Sequence, residues 1–434
     1  MFTTLVVWDK VALMALAFVA LVLWTVYEHY FGRNRRRHGC GHGHRCGDNI
    51  GVSPVLEAAM TEKPAGILAQ PLTTGRRCRL RELGIVTGVL PTGPHNAITD
   101  AGVLVGHTTL ISGDGELVPG KGPVRTGVTV IVPHPGDVWN VRASAGSFVL
   151  NGNGSVTGLD WIQESGMLDG PIALTNTHSV GDVYSGMVRW LIRKHPQIGI
   201  TDDTYLPVVG ECDDSPLNDI QGFHVKPEHV MAALDTAAGG DVAEGTVGGG
   251  TGMTCYEFKG GIGTSSRVVE VGDKKYTVGV LVNCNHGGRE QLKVMGVPVG
   301  RILDAEMATE HTEGSIVMIV ATDAPLSGRQ LNRVARRAVM GLALTGSTAN
   351  NSSGDFVVAF SNGRLVPRDE QAVRTLPELS DDFITPLFQA TVEATEEAVF
   401  NALCMATTVV GRDGNISPAL PLDRLVEIMR EYGR

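Results

Sequence analysis

The chain has 434 residues, 55 of them glycine, with only 5% aromatics and a formal net charge of −10. That length holds one large domain or two ordinary ones with a sizeable buried core. So acidic a body excludes non-specific nucleic-acid binding, which needs clustered lysine and arginine to displace counterions.

The N-terminus differs from the rest. Val11–Tyr27 is an unbroken apolar run of about the minimum length for a membrane span, and the basic stretch Arg33–His38 follows it. A cleaved export signal carries its positive charge before the apolar run, so this order disfavours one. If the run inserts, the positive-inside rule keeps the body cytoplasmic and tethered. The competing expectation is a start assigned too far upstream, with Met60 as the true beginning. Cys40, His42, His44 and Cys46 crowd together next, but their spacing matches no closed zinc motif, so neither a metal nor a cofactor is expected. The seven cysteines are scattered and odd in number, which points to reduced thiols in a reducing compartment. Residues 1–55 thus read as an extension, 56–76 as a linker and 77–434 as one folded body.

Within that body, short β-branched runs predict strands at Val128–Pro133, Ser147–Gly152, Pro171–Thr177 and Tyr276–Asn285. Amphipathic segments predict helices at Asp182–His195, with Val183, Met187, Trp190 and Leu191 on one face, and at Pro227–Ala238. From Ser315 the order is strand (Ser315–Ala324), helix (Ser327–Gly346), polar loop (Ser347–Asp355), strand (Phe356–Ser361). A long helix follows from Pro386, with no stop signal before Gly411. Mixed strands and helices argue for layered sheets covered by helices.

The common catalytic motifs are absent. There is no G-x-x-x-x-G-K-[ST], so the glycine run Thr246–Met253 reads as a sharp turn or close backbone approach, and no G-x-S-x-G elbow or H-E-x-x-H occurs. What remains is serine chemistry with no histidine partner close in sequence. An N-terminal serine can use its own α-amine, of pKa near ~8, as base. Such a residue must first be exposed by a cut. Gly314-Ser315 before a rigid strand suits this, although a Gly-Ser pair is also an ordinary turn. A strand–helix–strand unit brings the starts of two parallel strands to one sheet edge. The loop carrying Ser353 and Asp355 would then lie near Ser315, as a relay or as a plain turn.

With these residues assembled, Arg77–Arg434 resembles the P1 peptidase family of L-aminopeptidase/D-Ala-esterases and β-peptidyl aminopeptidases. Matching blocks include Leu83–Gly115, Ser147–Leu168, Pro171–Met187, Leu206–Val225, Thr246–Arg267, Val278–Gly287, Gly314–Leu326 and Asn350–Ser361. The resemblance implies an α+β fold, an αββα four-layer sandwich like that of N-terminal-nucleophile hydrolases. It implies self-cleavage at Gly314–Ser315 into an α chain (77–314) and a β chain (315–434), assembled as a homo-oligomer of αβ heterodimers. Ser315 is then the nucleophile, Ser353 and Asp355 its partners and Asn285 the oxyanion-hole donor, with Tyr184 as a pocket residue. The substrate would be a small peptide, amide or ester. The family often reads N-G-N-G-acid where this chain has Ser155, which passes recognition of the substrate ammonium to Glu211 or Asp213. The alternatives are an acyltransferase of the ornithine acetyltransferase type and a non-catalytic, membrane-tethered binding protein.

Overall fold

A computed structural model describes residues 76–306, 314–369 and 371–434. The apolar run Val11–Tyr27, the cluster Cys40–Cys46 and the linker lie outside the described residues. Among the described residues no helix is long and apolar enough to cross a membrane.

Two sheets organise the described residues. Strands β1 (Leu104–Ser112), β2 (Val124–Val132), β5 (Ile172–Asn176) and β6 (Val208–Cys212) form one, in the order β1-β2-β5-β6. The other contains β3 (Val141–Gly152), β4 (Met167–Leu168), β9 (Gly261–Val271), β10 (Lys274–Asn285), β11 (Ser315–Thr322) and β12 (Gly354–Pro367). Its order is β4-β3-β12-β11-β10-β9. Two small hairpins pair β7 (Thr254–Cys255) with β8 (Phe258–Lys259) and β13 (Val409–Val410) with β14 (Ile416–Ser417). The helices are α1 (Leu159–Ser165), α2 (Val180–Lys194), α3 (Pro227–Asp235), α4 (Val299–Glu306), α5 (Gly328–Leu344), α6 (Thr385–Met405) and α7 (Leu422–Glu431).

Period-two alternation along the central strands sets the layers. Ile316, Met318 and Val320 of β11 pack with Leu331, Val334 and Leu342 of α5 and with α6 and α7. Their neighbours Val317, Ile319 and Ala321 point the other way and meet Ile131, Leu174 and Cys212 of the four-stranded sheet. The outer face of that sheet, through Val128 and Val130, is covered by Val183, Met187, Trp190 and Leu191 of α2 and by Val230 of α3. The result is the αββα sandwich. β11 is buried on both faces, which is why it reads as a continuous apolar run rather than an alternating one.

Two expected boundaries move. The strand predicted at Phe356–Ser361 continues to Pro367, through a register shift after Ser361. The last long helix stops at Met405, short of Gly411, because Ala406 turns extended (φ −70°, ψ 144°). The Thr407 N–H then donates to Thr246 Oγ1 at 3.1 Å, so this backbone pairs with the segment ahead of the glycine run. That run is a buried 3-10 turn, Gly248–Gly250, wedged between strands of both sheets. A Cβ at Gly249 would lie 2.5 Å from the Leu174 carbonyl oxygen, and one at Gly250 2.5 Å from the Ile262 nitrogen. Close backbone approach is its role.

Candidate active site

Ser315 opens β11, and three neighbours are fixed around it by the sheet. In the antiparallel ladder with β10 its partner is Asn285. In the parallel ladder with β12, Ile316 pairs with Asp355, because α5 carries the chain back to start β12 at the same edge. On the far side of β12, Asp355 pairs with Asn151 of β3, at a bulge. Bulges of this kind re-aim a side chain and end regular pairing.

The polar contacts follow from that placement. Ser353 Oγ donates to Asp355 Oδ1 at 2.7 Å, and Asn151 Nδ2 donates to Asp355 Oδ2 at 3.0 Å. Ser353 is 3% and Asp355 1% exposed, so this carboxylate is held by neighbours and not by water. The Ser353 hydroxyl hydrogen is committed to Asp355, which leaves its lone pairs to accept from another group. The Asn285 side chain is held at both ends: Oδ1 accepts from Thr254 N at 2.8 Å, and Nδ2 donates to the Asp213 carbonyl at 2.9 Å. One amide N–H remains to donate elsewhere.

Gly314 is there for space. A Cβ would lie 1.7 Å from the Asn285 carbonyl oxygen and 2.6 Å from its carbon, so no side chain fits at this position. Its φ does not lie in the left-handed region that glycine alone adopts freely. Steric contact, not backbone conformation, requires glycine here.

In front of Ser315 lies a cavity of about 440 Å³, lined by Asn153, Gly154, Thr177, His178, Glu211, Asp213, Ser215, Ile220, Gly314, Ser315 and Ser352. Only Ile220 among these presents a purely aliphatic side chain. Glu211, on β6, accepts from Ser155 N at 2.7 Å and from the Thr177 hydroxyl. Burial pushes its carboxyl above the usual range, opposed by those two donors. Asp213 is exposed, and its Oδ1 accepts from Ser215 N at 2.8 Å. Behind it Asp214 is fully buried among neutral partners, Asn218 included, and burial pushes its carboxyl up to about 7. Cys212, beside Ser315, is a poor rival nucleophile, because burial pushes its thiol well up and keeps it protonated.

The structure thus brings Gly314, Ser315, Glu211 and Asp213 to one cavity and sets Asn285, Ser353 and Asp355 immediately around Ser315. Tyr184 is the correction. It sits on α2 in the outer helix layer, packed against the core between α2, α3 and the outer face of the four-stranded sheet, and it does not line the cavity. Asn151, Thr177, His178 and Ser352 join the site without having been singled out. Their segments, NGNG, TNTH and NNSSGD, were visible as matching blocks, yet only the facing of the two sheets shows which side chains reach the site. The His178 ring stacks on Phe223 with centroids 5.7 Å apart, forming one wall.

The model of peptidase family S58 matches residues 96–417. The β-peptidyl aminopeptidase BapA of Sphingosinicella microcystinivorans is 45% identical over 391 residues, covering 85% of this chain and 96% of its own. Among solved structures, the PH0078 protein from Pyrococcus horikoshii OT3 is 51% identical with a TM-score of 0.79, covering 82% of this chain and 100% of that one. The L-aminopeptidase D-Ala-esterase/amidase from Ochrobactrum anthropi is 40% identical with a TM-score of 0.76, covering 82% of this chain and 99% of its own. That structure is called a prototype for the serine aminopeptidases and a variant of the Ntn hydrolase fold.

Proposed function

The chain belongs to peptidase family S58 and is a serine aminopeptidase, and on that premise we propose that Ser315 becomes its nucleophile by self-cleavage of the Gly314–Ser315 bond. The observation that carries the reading is the position of Ser315: first residue of a buried strand, paired with Asn285, next to the Ser353–Asp355 pair and open to an acidic cavity. In the first reaction Ser315 Oγ attacks the Gly314 carbonyl carbon. The peptide C–N bond breaks, and water hydrolyses the resulting ester. The products are an α chain that ends at Gly314 and a β chain (315–434) that begins with a free amine.

In the second reaction the same Oγ attacks the carbonyl of a substrate's first residue. The Ser315 α-amine, of pKa near ~8, takes the proton. Ser353, whose lone pairs are free, accepts a hydrogen bond from the ammonium that forms, and Asp355 holds Ser353 in that orientation. The spare N–H of Asn285 stabilises the oxyanion. The substrate amine leaves with the proton, and water then cleaves the acyl-enzyme. Glu211 binds the substrate's free ammonium, which supplies the carboxylate that Ser155 does not. The substrate class is a small peptide, amide or ester with a free N-terminal amine, and the β-peptidyl relative at 45% identity makes β-residue amides the first to assay. By the same resemblance the active form is a homo-oligomer of αβ heterodimers.

A denaturing gel with intact-mass spectrometry tests the assignment. The expected result is a fragment beginning at Ser315, absent in Ser315→Ala, together with a loss of about 10³-fold or more in kcat/KM. An intact wild-type chain that still hydrolyses aminoacyl amides would overturn it.

A further inference from the structure

Behind Asn285, on the side away from the cavity, lies a constellation that the peptidase reaction does not use. Cys255, Cys284 and His286 are 0%, 0% and 3% exposed, and their ligand atoms all lie within 4.8 Å of one another. Cys284 and His286 bracket Asn285 in sequence. Residues two apart on extended backbone share a face, so both turn away from the side Asn285 takes. Cys255 comes from the β7 hairpin. That hairpin is docked on the same strand end by Thr254 N to Asn285 Oδ1 at 2.8 Å and by Tyr256 N to the His286 carbonyl at 2.7 Å. Cys255 Sγ and His286 Nδ1 are 3.8 Å apart, and His286 Nε2 is buried with no hydrogen-bond partner.

We propose that Cys255, Cys284 and His286 bind one Zn²⁺ ion, or a soft divalent cation like it, and so pin the β7 hairpin to the strand end that carries Asn285. Two thiolates and an imidazole are a donor set that suits such ions, and three protein donors leave the fourth position of a tetrahedron. Zn–S near 2.3 Å and Zn–N near 2.0 Å place donor atoms about 3.5–3.8 Å apart, so the side chains need close by only about an ångström. Each thiol that ligates gives its proton to solvent as its bond to the metal forms, so no oxidant or reductant is involved.

The test uses the full chain in a Cys40→Ser/Cys46→Ser background, because the N-terminal cluster could otherwise supply thiolates. The reduced, chelator-treated protein is titrated with Cd²⁺ and then, separately, with Zn²⁺. The expected results are an ultraviolet thiolate-to-cadmium band saturating at one equivalent, one zinc per chain by elemental analysis, and a melting temperature raised on loading. Cys255→Ser/Cys284→Ser should remove the band. Should that double variant fold poorly by circular dichroism, His286→Gln keeps both thiols and should weaken zinc affinity at least tenfold. No band in the background protein, a band surviving the double variant, or undiminished zinc affinity in His286→Gln would overturn the proposal. Ser315→Ala should bind the metal as well as the parent, so a negative result leaves the nucleophile assignment standing.

Discussion

At the scale of single residues, three buried carboxyl groups stand in three different environments. Asp355 accepts from Ser353 at one oxygen and from Asn151 at the other, away from solvent. Glu211 lines the cavity with a carboxyl that burial pushes up, so in the proposed role it would accept a substrate ammonium only above that raised pKa. Glu211→Gln should raise KM about 10- to 100-fold, the value of one charge-assisted hydrogen bond, while leaving self-cleavage intact. In the parent KM should climb as pH falls through the Glu211 pKa, and in the variant that limb should flatten. Steady-state kinetics across acid pH would check both. Asp214 works on stability instead. Its folded pKa of about 7 lies above the value of 3.8 for the free side chain, so between those limits the folded state holds more protons than the unfolded one. Stability should therefore fall as pH rises through that window and level off above it. Asp214→Asn should remove that part of the slope in melting temperature against pH.

At the scale of elements, glycines decide how closely the layers approach. Gly263 of β9 faces α6 so closely that a Cβ would lie 2.0 Å from the Ala398 carbonyl oxygen and 2.6 Å from the Ala402 nitrogen. Gly263→Val must push α6 off the sheet, and a loss of about 1–3 kcal/mol or more is expected, read as a lower denaturation midpoint. The β11–α5–β12 unit was legible in the sequence because its periods are clean: a fully buried strand, an amphipathic helix and a polar loop. Strand β9 was not, since GIGTSSRVVEV is polar enough to pass for a loop until α6 and the facing sheet cover it. Helix α6 misleads in the opposite sense. Its Glu393, Glu396 and Glu397 look like a solvent face, yet all three are buried. Arg267, itself 0% exposed, reaches Glu393 at 3.3 Å and Glu397 at 2.6 Å, and Arg81, in the 3-10 turn Leu80–Leu83, meets Glu397 at 2.8 Å. Charge partners more than a hundred residues away cannot be read from helical periodicity. The same limit applies at the cavity. Ser315, Ser353 and Asp355 share one supersecondary unit and were legible, whereas Thr177 and His178 come from the opposite sheet and were not.

At the scale of the whole molecule, the position of the proposed cut within the fold matters most. Strands β11 and β12 follow it in sequence and stand side by side, flanked by β10 on one side and β3 on the other, both of which precede it. The two products would share one six-stranded sheet and one core. They should co-elute in native size-exclusion chromatography and separate only in denaturant, which intact-mass analysis of the native peak would check. Independent elution under native conditions would contradict the shared sheet.

The pairing of Ser315 with Asn285 also fixes an order of events. On the proposed mechanism, the Gly314–Ser315 bond and the groups that break it come together only once strands from both halves of the chain have formed one sheet. Activation on this reading is a unimolecular maturation step, independent of protein concentration and of any second protease. An unfolded or truncated copy would never acquire a free serine amine. On the proposed mechanism, completion of the fold is its own inspection, and only chains that pass it become peptidases.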